Sequence, residues 1–255
     1  MLLEGLIDHA ALFPPASMPL DEALEEDRAA RASSAAALIN RFVVPATKLA
    51  ELINHFVVPA AKLAELPHDT TPLSVVLSST EDVGLVTGGA IQAVELPLAA
   101  SQPRPADLLA AYRALEPLGV EIYFELVFDE GWRNDVPAAI GAIAAVGACV
   151  KLRCGGAYTP SAEQVALVIA ACRDAGAPFK CTAGLHHAVR RGDEHGFLNI
   201  LAATTAPNAR LEEVLEEEDA AALDLDAPDR SLFTSFGSCS WREPVDDLEV
   251  LGLLA

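Results

Sequence analysis

Two lysines stand in the middle of two short apolar segments, Lys151 in ACVKLRC and Lys180 in PFKCTAGL. Side chains alternate across an extended strand. Lys151 therefore shares a face with Arg153 and Lys180 with Thr182, against Val150, Leu152, Phe179 and Cys181 on the other. A strand covered on both sides is normally apolar on both, so charges there need a reason. A lysine kept partly unprotonated by desolvation and by a second nearby cation can attack a carbonyl and form a Schiff base. The iminium then acts as an electron sink for making or breaking the adjacent carbon–carbon bond, and neighbouring carboxylates can relay protons.

Other apolar segments supply the carboxylates. The same alternation puts Asp8, Glu95, Tyr123 and Glu125 on the face of the lysines, so Lys151, Arg153 and Lys180 would converge with three acids on one lumen. Buried charges at that density are expensive even when paired, and a salt-bridge network is the bland reading. Apolar layers would fill a lumen more stably, which favours function over structure.

The elements that must position these groups alternate regularly. Between the two lysine strands, YTPSAEQVALVIAACRDAGA predicts a helix with Thr159 as N-cap, Pro160 at the first helical position, Val165, Ile169 and Cys172 at helical spacing, and Gly176 as the stop. Further strands are read in LIDHAALF, RFVVPA, LSVVLSS, AIQAVELPL, EIYFELVF and SLFTSFGSC. Helical segments follow them, including one from about Leu20 to Leu38 and a last one from about Pro244 to Leu254. Eight strand-and-helix units in 255 residues predict a single α/β domain, a closed (β/α)8 TIM barrel with its chemistry at the carboxyl ends of the strands. The competing open doubly wound sheet would normally have fewer strands, and no GxGxxG follows the first strand.

One anomaly interrupts the series. LINRFVVPATKLAE at 38–51 is repeated at once as LINHFVVPAAKLAE at 52–65, differing only at Arg41/His55 and Thr47/Ala61. This tandem 14-residue duplication lies around the second strand, and a barrel has room for one copy there. Either can fill the slot. A displaced FVVPA would need cover, for which self-association into a homo-oligomer is one route.

Composition narrows the function classes. The formal net charge is −20, from 37 acidic and 17 basic residues, with runs such as LDEALEED and LEEVLEEED that read as solvated helix faces. This argues against nucleic acid and anionic membranes as partners but says little about the substrate; a small-molecule carbonyl or anionic substrate is expected from the lysines and Arg153 instead. Five cysteines without a CxxC pair, set mostly in apolar segments, fit buried thiols in a reducing cytoplasm. The start MLLEGLIDHAALFPP lacks a basic region and carries Glu4, so no secretory leader is expected, and no run is long enough to span a bilayer.

Several of these segments resemble the deoxyribose-phosphate aldolases, class I aldolases built on this barrel. LIDHAALFPPAS resembles their "IDHTLLKP" opening, AVELPL their "EVDMVI" segment with Glu95 for the aspartate, and YFELVFDEG their "VIIETGEL" strand. VKLRCGGAYTP resembles "KTSTGF", and FKCTAGL resembles "VKASGGI". The resemblance implies that Lys151 forms the Schiff base, that Lys180 lowers its pKa, and that Glu95 and Asp8 take part in proton transfer, without a cofactor. Glu125 joins this catalytic set from the lumen face. Where the family has small hydroxyl residues after the first lysine, this chain has Leu152, Arg153 and Cys154. The glycine pair of its seventh strand becomes Ala183-Gly184 followed by Leu185, His186 and His187, and its serine-glycine turn becomes FGSCSW with Ser238. Arg153 could then hold a carboxylate or phosphate through its fork, with Thr182, His186, His187 and Ser238 completing the substrate-binding set.

Two rival readings remain. His186 and His187, with His195 and His9, could join Glu95 or Glu125 around a divalent metal in a lyase or hydrolase, although no HxH or HExxH spacing is present. Alternatively the barrel only binds a small anion through Arg153, Lys151 and Lys180. Cys154 and Cys239 lack an evident histidine partner in sequence, and Phe236 and Trp241 read as packing residues.

Overall fold

The computed structural model describes residues 2–56, 71–88, 90–101 and 103–254, and of residues 53–56 the backbone alone. Eight parallel strands close into a barrel in sequence order. They are β1 (Ile7–His9), β2 (Ile39–Pro45), β3 (Leu73–Val76), β4 (Ile91–Pro97), β5 (Glu121–Glu125), β6 (Cys149–Arg153), β7 (Phe179–Thr182) and β8 (Phe233–Ser238). Helices α1 (Leu20–Ala32), α2 (Ala46–Phe56), α3 (Pro105–Leu115), α4 (Trp132–Ala145) and α5 (Ala162–Ala175) follow strands 1, 2, 4, 5 and 6. Two short helices, α6 (Phe197–Ala203) and α7 (Leu211–Glu216), lie between β7 and β8, and α8 (Arg242–Val250) follows β8. A 3-10 turn at Thr80–Leu85 stands where an α-helix would follow β3. This is the (β/α)8 barrel expected from the alternation.

The core lies between strands and helices. Val44, Val75, Val94, Phe124, Val150 and Cys181 are buried and packed with helix residues such as Leu24, Leu49, Ile140, Val165 and Ile169. Their alternates on each strand point into the lumen, which is how a buried acid or lysine comes to neighbour an aliphatic run without entering that core.

The helix after β6 begins later than its sequence suggests. Ser161, not Thr159, is the N-cap: its hydroxyl accepts from the Gln164 N–H at 3.3 Å, and the Gln164 side chain accepts from the Ser161 N–H at 2.9 Å. A serine with glutamine three residues on satisfies two orphan donors at once, which outweighs the Thr159-Pro160 signal. Thr159 is thereby freed to line the cavity at the barrel mouth. The first helix ends at Ala32, before the expected Leu38, and a 3-10 turn at Ala36–Leu38 leads into β2.

The first copy of the duplication forms β2. The second copy starts with LINHF, the counterpart of LINRF, yet residues 52–56 continue α2 while 38–42 end a 3-10 turn and enter the sheet. Residues 57–65, the rest of the second copy, lie outside the described residues. Pairing between β1 and β2 contains one extra residue, since Ile7 is matched to Ile39 but His9 to Phe42. That irregularity turns Asn40 and the Arg41 backbone toward the same point in the lumen. Among the described residues, no helix is long and apolar enough to cross a membrane.

Candidate active site

The lumen is filled in layers. Toward the amino ends of the strands, Arg41 Nη2 donates to Glu121 Oε2 at 2.8 Å and its Nε to Gln92 Oε1 at 3.3 Å. The Tyr123 hydroxyl donates to Glu121 at 2.9 Å. Above this floor, Asp8 and Lys180 form a fully buried pair, with the Lys180 ammonium donating to Asp8 Oδ2. Asp8 also accepts from Asn40 Nδ2 at 2.7 Å, the Arg41 N–H at 3.3 Å and the Ser235 hydroxyl at 2.8 Å. Each lone pair of the buried carboxylate thus meets a donor, the condition under which such a charge is tolerated.

Glu95 is the hinge of the next layer. Its Oε1 accepts from Lys180 Nζ at 2.7 Å and from the Ser74 hydroxyl at 2.6 Å, while Oε2 meets Lys151 Nζ at 2.6 Å. Burial works against the Glu95 charge, but the two ammonium groups prevail and hold its carboxyl well below the ordinary carboxylate range. Lys180 is likewise opposed by burial, yet Asp8 and Glu95 raise its pKa. Its ammonium also lies 5.4 Å from the centre of the Tyr123 ring. The sequence suggested that a second cation would press directly on the first lysine. Glu95 instead separates them, one oxygen on each.

The top layer opens to solvent. Lys151 Nζ meets Glu125 Oε2 at 2.8 Å, and Arg153 Nε donates to Glu125 Oε1 at 3.1 Å. Burial opposes the Glu125 charge, but Lys151 and then Arg153 lower its pKa. These groups line a cavity of about 1000 Å³ at the carboxyl ends of the strands, together with Thr182, His186 and Glu95. Lys180 and Asp8 do not line it; they lie beneath.

Backbone geometry shapes the rim between β6 and β7. Gly155 and Gly184 approach so closely that a Cβ on Gly184 would lie 2.8 Å from the Cys154 carbonyl oxygen. Gly184 has φ +67°, and Ala183 before it has φ +58°, a left-handed conformation that a β-carbon disfavours. The alanine that departs from the glycine pair of the resembled family keeps a glycine-type backbone.

The remaining expected residues are dispersed. His187 turns out of the cavity: its Nδ1 is 3.3 Å from Asp247 and its Nε2 3.4 Å from Glu194. His186 stays at the rim, 3.0 Å from Glu243. The Ser238 hydroxyl donates to the Ser240 carbonyl at 2.6 Å and shapes the loop after β8 rather than facing the cavity. His9 pairs with Asp27 at 3.3 Å, and His195 Nε2 with the Pro160 carbonyl at 2.7 Å. Burial pushes the His195 pKa down, and its Nδ1 lacks a partner. His186 and His187 follow the turn at Ala183-Gly184, beyond the end of β7, and find different partners. Among the described residues, no three His, Cys, Asp or Glu are grouped so as to hold a metal ion. Cys154 and Cys239 line the cavity, and burial pushes the Cys239 thiol up.

Ser74, Ser235 and Asn40 were missed in the sequence. A lone serine in an apolar strand such as LSVVLSS is a weak signal, and Asn40 depends on the β1–β2 irregularity. The apolar side of the cavity, from Phe13, Val43, Val76 and Pro97, was missed as well because aliphatic residues carry no chemical mark.

No family model matches the chain, and no curated protein matches it in sequence. Among solved structures, one titled as the unique tetrameric structure of deoxyribose phosphate aldolase from Aeropyrum pernix aligns with a TM-score of 0.59 at 12% identity. The alignment covers 98% of this chain and 92% of that one. What the two chains share, over nearly their whole length, is the closed eight-stranded barrel fold.

Proposed function

We propose that the protein is a carbon–carbon lyase of the class I aldolase type, in which Lys151 forms a Schiff base with a small carbonyl substrate. One observation carries the reading: of the two register-paired lysines, Lys151 alone lines the cavity, with Lys180 sealed below it among Asp8, Glu95 and Tyr123. The likeness in fold to an aldolase agrees with it.

The chemistry follows from the contacts. The Lys151 ammonium gives one proton to a carboxylate at hydrogen-bond distance, and the free amine attacks the carbonyl carbon, whose π electrons move to oxygen. A second proton passes from nitrogen to that oxygen. The first returns from the carboxylate, water leaves, and a protonated iminium remains, so the total charge is unchanged. Glu125 is the better acceptor of the first proton. Protonating Glu95 would strip Lys180 of one of its two counter-charges, whereas Glu125 borders the cavity and balances only Lys151 and Arg153. From the iminium, a base removes a proton from the substrate's β-hydroxyl, the carbon–carbon bond breaks, and its electron pair flows into the iminium to give an enamine and a free aldehyde. Lys180 stays protonated throughout as a fixed positive charge.

Incubation of the folded protein with acetaldehyde or pyruvate followed by borohydride tests the reading. A mass increase on the peptide carrying Lys151, absent in Lys151→Met, is the expected result. A folded protein that acquires no adduct with either carbonyl refutes it.

A further inference from the structure

The cavity is chemically divided by strand. On the side of β5 to β7 lie Glu125, Lys151, Arg153 and Thr182; on the side of β1 to β4 lie Phe13, Val43, Val76, Leu77 and Pro97, together with Ser78, and Glu95 of β4 marks the boundary, bound to both lysines. The division comes from the sequence of the strands. In FVVP and SVV the lumen-facing alternates near the carboxyl ends are aliphatic, whereas in YFE, KLR and KCT they are polar or charged.

The polar side holds no uncommitted cation among the described residues. Lys151 is compensated by Glu95 and Glu125, Arg153 by Glu125, and His186 by Glu243. Glu194 lines the same cavity and adds a further acid. A phosphate dianion seated on Arg153 would share the guanidinium with Glu125, which already accepts from its Nε, and would add two negative charges beside a chain whose acids and cations otherwise balance. An uncharged tail faces no such conflict. Laid against Phe13, Val43 and Val76, it would remove apolar surface from water at both surfaces of contact.

We infer that the substrate is an uncharged carbonyl compound with an apolar tail, not a phosphorylated sugar. Its carbonyl points to Lys151 and its tail runs along the wall formed by β2, β3 and the loop after β1. This assignment rests on Lys151 as the reacting amine only for the orientation of the carbonyl; the recognition of the tail is independent of it.

Two measurements on the full chain separate these points. The first is borohydride trapping with acetaldehyde, butanal, hexanal and glyceraldehyde 3-phosphate, read as mass at Lys151. The half-saturating concentration is expected to fall by about fourfold per added methylene from acetaldehyde to hexanal. Glyceraldehyde 3-phosphate should trap more weakly than hexanal. Val76→Thr, which preserves the shape of the side chain, should narrow the ratio of hexanal to acetaldehyde severalfold. The second measurement needs no covalent step: thermal stabilisation by hexanamide, acetamide and inorganic phosphate. Hexanamide should stabilise at the lowest concentration of the three. If hexanamide does so but no aldehyde is trapped, the Schiff-base reading falls and the tail assignment stands. If glyceraldehyde 3-phosphate traps below hexanal, or phosphate stabilises below hexanamide, the inference is overturned.

Discussion

Lys151 and Lys180 face each other across β6 and β7 as direct register partners, and both donate to Glu95, one to each oxygen. Neighbouring strands would otherwise place two ammonium groups side by side in a poorly solvated lumen. The intervening carboxylate turns a repulsion into a chain of alternating charge, Asp8, Lys180, Glu95, Lys151, Glu125, Arg153. Along it exposure rises from a sealed end to a side chain 44% exposed at Arg153. The sealed end is structural in its demands and the open end is available for chemistry.

The two lysines should therefore respond differently to removal. Lys180→Met leaves Asp8 and Glu95 facing one another in the interior without their shared cation, a loss expected to cost about 3–5 kcal/mol of folding stability. Lys151→Met leaves Glu95 with Lys180 and Glu125 with Arg153 and should cost clearly less, while abolishing the borohydride adduct. Urea unfolding of both variants checks the order; equal losses would contradict the separation of roles.

Glu95→Gln tests the bridge itself. The amide oxygen can still accept from one ammonium, but the second loses its counter-charge and the amide NH2 then faces a cation. A loss of about 3 kcal/mol is expected, close to the cost of breaking a buried pair. Ser74→Ala, which removes only the hydroxyl that donates to Glu95, should cost about 1–3 kcal/mol because the acceptor keeps its charged partners. Chemical denaturation that ranks Ser74→Ala above Glu95→Gln in cost would contradict this account.

The pH dependence of stability has two edges. Glu95 has a folded pKa below its ordinary 4.5, so its contribution is complete above about pH 4.5 and declines as pH falls from there toward the folded value. Lys180 has a folded pKa above its ordinary 10.5, so its contribution is complete below about pH 10.5 and declines as pH rises beyond it. Unfolding free energy measured from pH 3 to pH 12 should fall at both ends. Glu95→Gln should flatten the acid limb and Lys180→Met the alkaline limb, by comparison with the unaltered chain.

How far the sequence reveals this site depends on how each residue is positioned. Asp8, Glu95, Glu125, Lys151 and Arg153 were legible because strand alternation is a rigid two-residue rule and a charge inside an apolar run breaks the pattern visibly. The partners that make the charges tolerable were not. Ser74 and Ser235 are unremarkable in sequence, and Asn40 acts through an extra residue in the β1–β2 pairing, which no local pattern announces. Local signals also failed where two of them competed, as at Thr159 and Ser161. LINRF in the barrel wall and LINHF in α2 mark the limit most clearly, since nearly the same five residues adopt both conformations according to what surrounds them.

The β6–β7 rim yields a paired prediction. Gly184→Ala forces a Cβ to within 2.8 Å of the Cys154 carbonyl oxygen at a positive φ, and should destabilise by about 2–4 kcal/mol. Ala183→Gly relieves a left-handed alanine, a gain of about 1–2 kcal/mol offset by about 0.4–1 kcal/mol from the freer unfolded chain. It should leave stability unchanged or slightly raised. Melting temperatures that move both variants in the same direction by similar amounts would count against the backbone contact as the cause.

The duplication gives the last prediction. Deleting 52–65 leaves β2 and its Arg41 in place and brings Leu66 directly after Glu51, so a leucine still follows at the buried position of Leu52. Deleting 38–51 instead brings the second copy into β2, with His55 where Arg41 now bonds Glu121 and Gln92, and Ala61 where the exposed Thr47 stands. The histidine keeps the backbone N–H that Asp8 accepts but is too short to reproduce both guanidinium contacts. The two deletion variants have the same length and differ only at those two positions. The first should fold with a barrel floor like that of the full chain. The second should be less stable by about 1–3 kcal/mol, the worth of a hydrogen-bonded charged group. An exposed threonine replaced by alanine in a helix acts weakly in the opposite direction. Denaturation of the pair measures Arg41 directly, and equal stabilities would mean that the floor of the barrel does not depend on it.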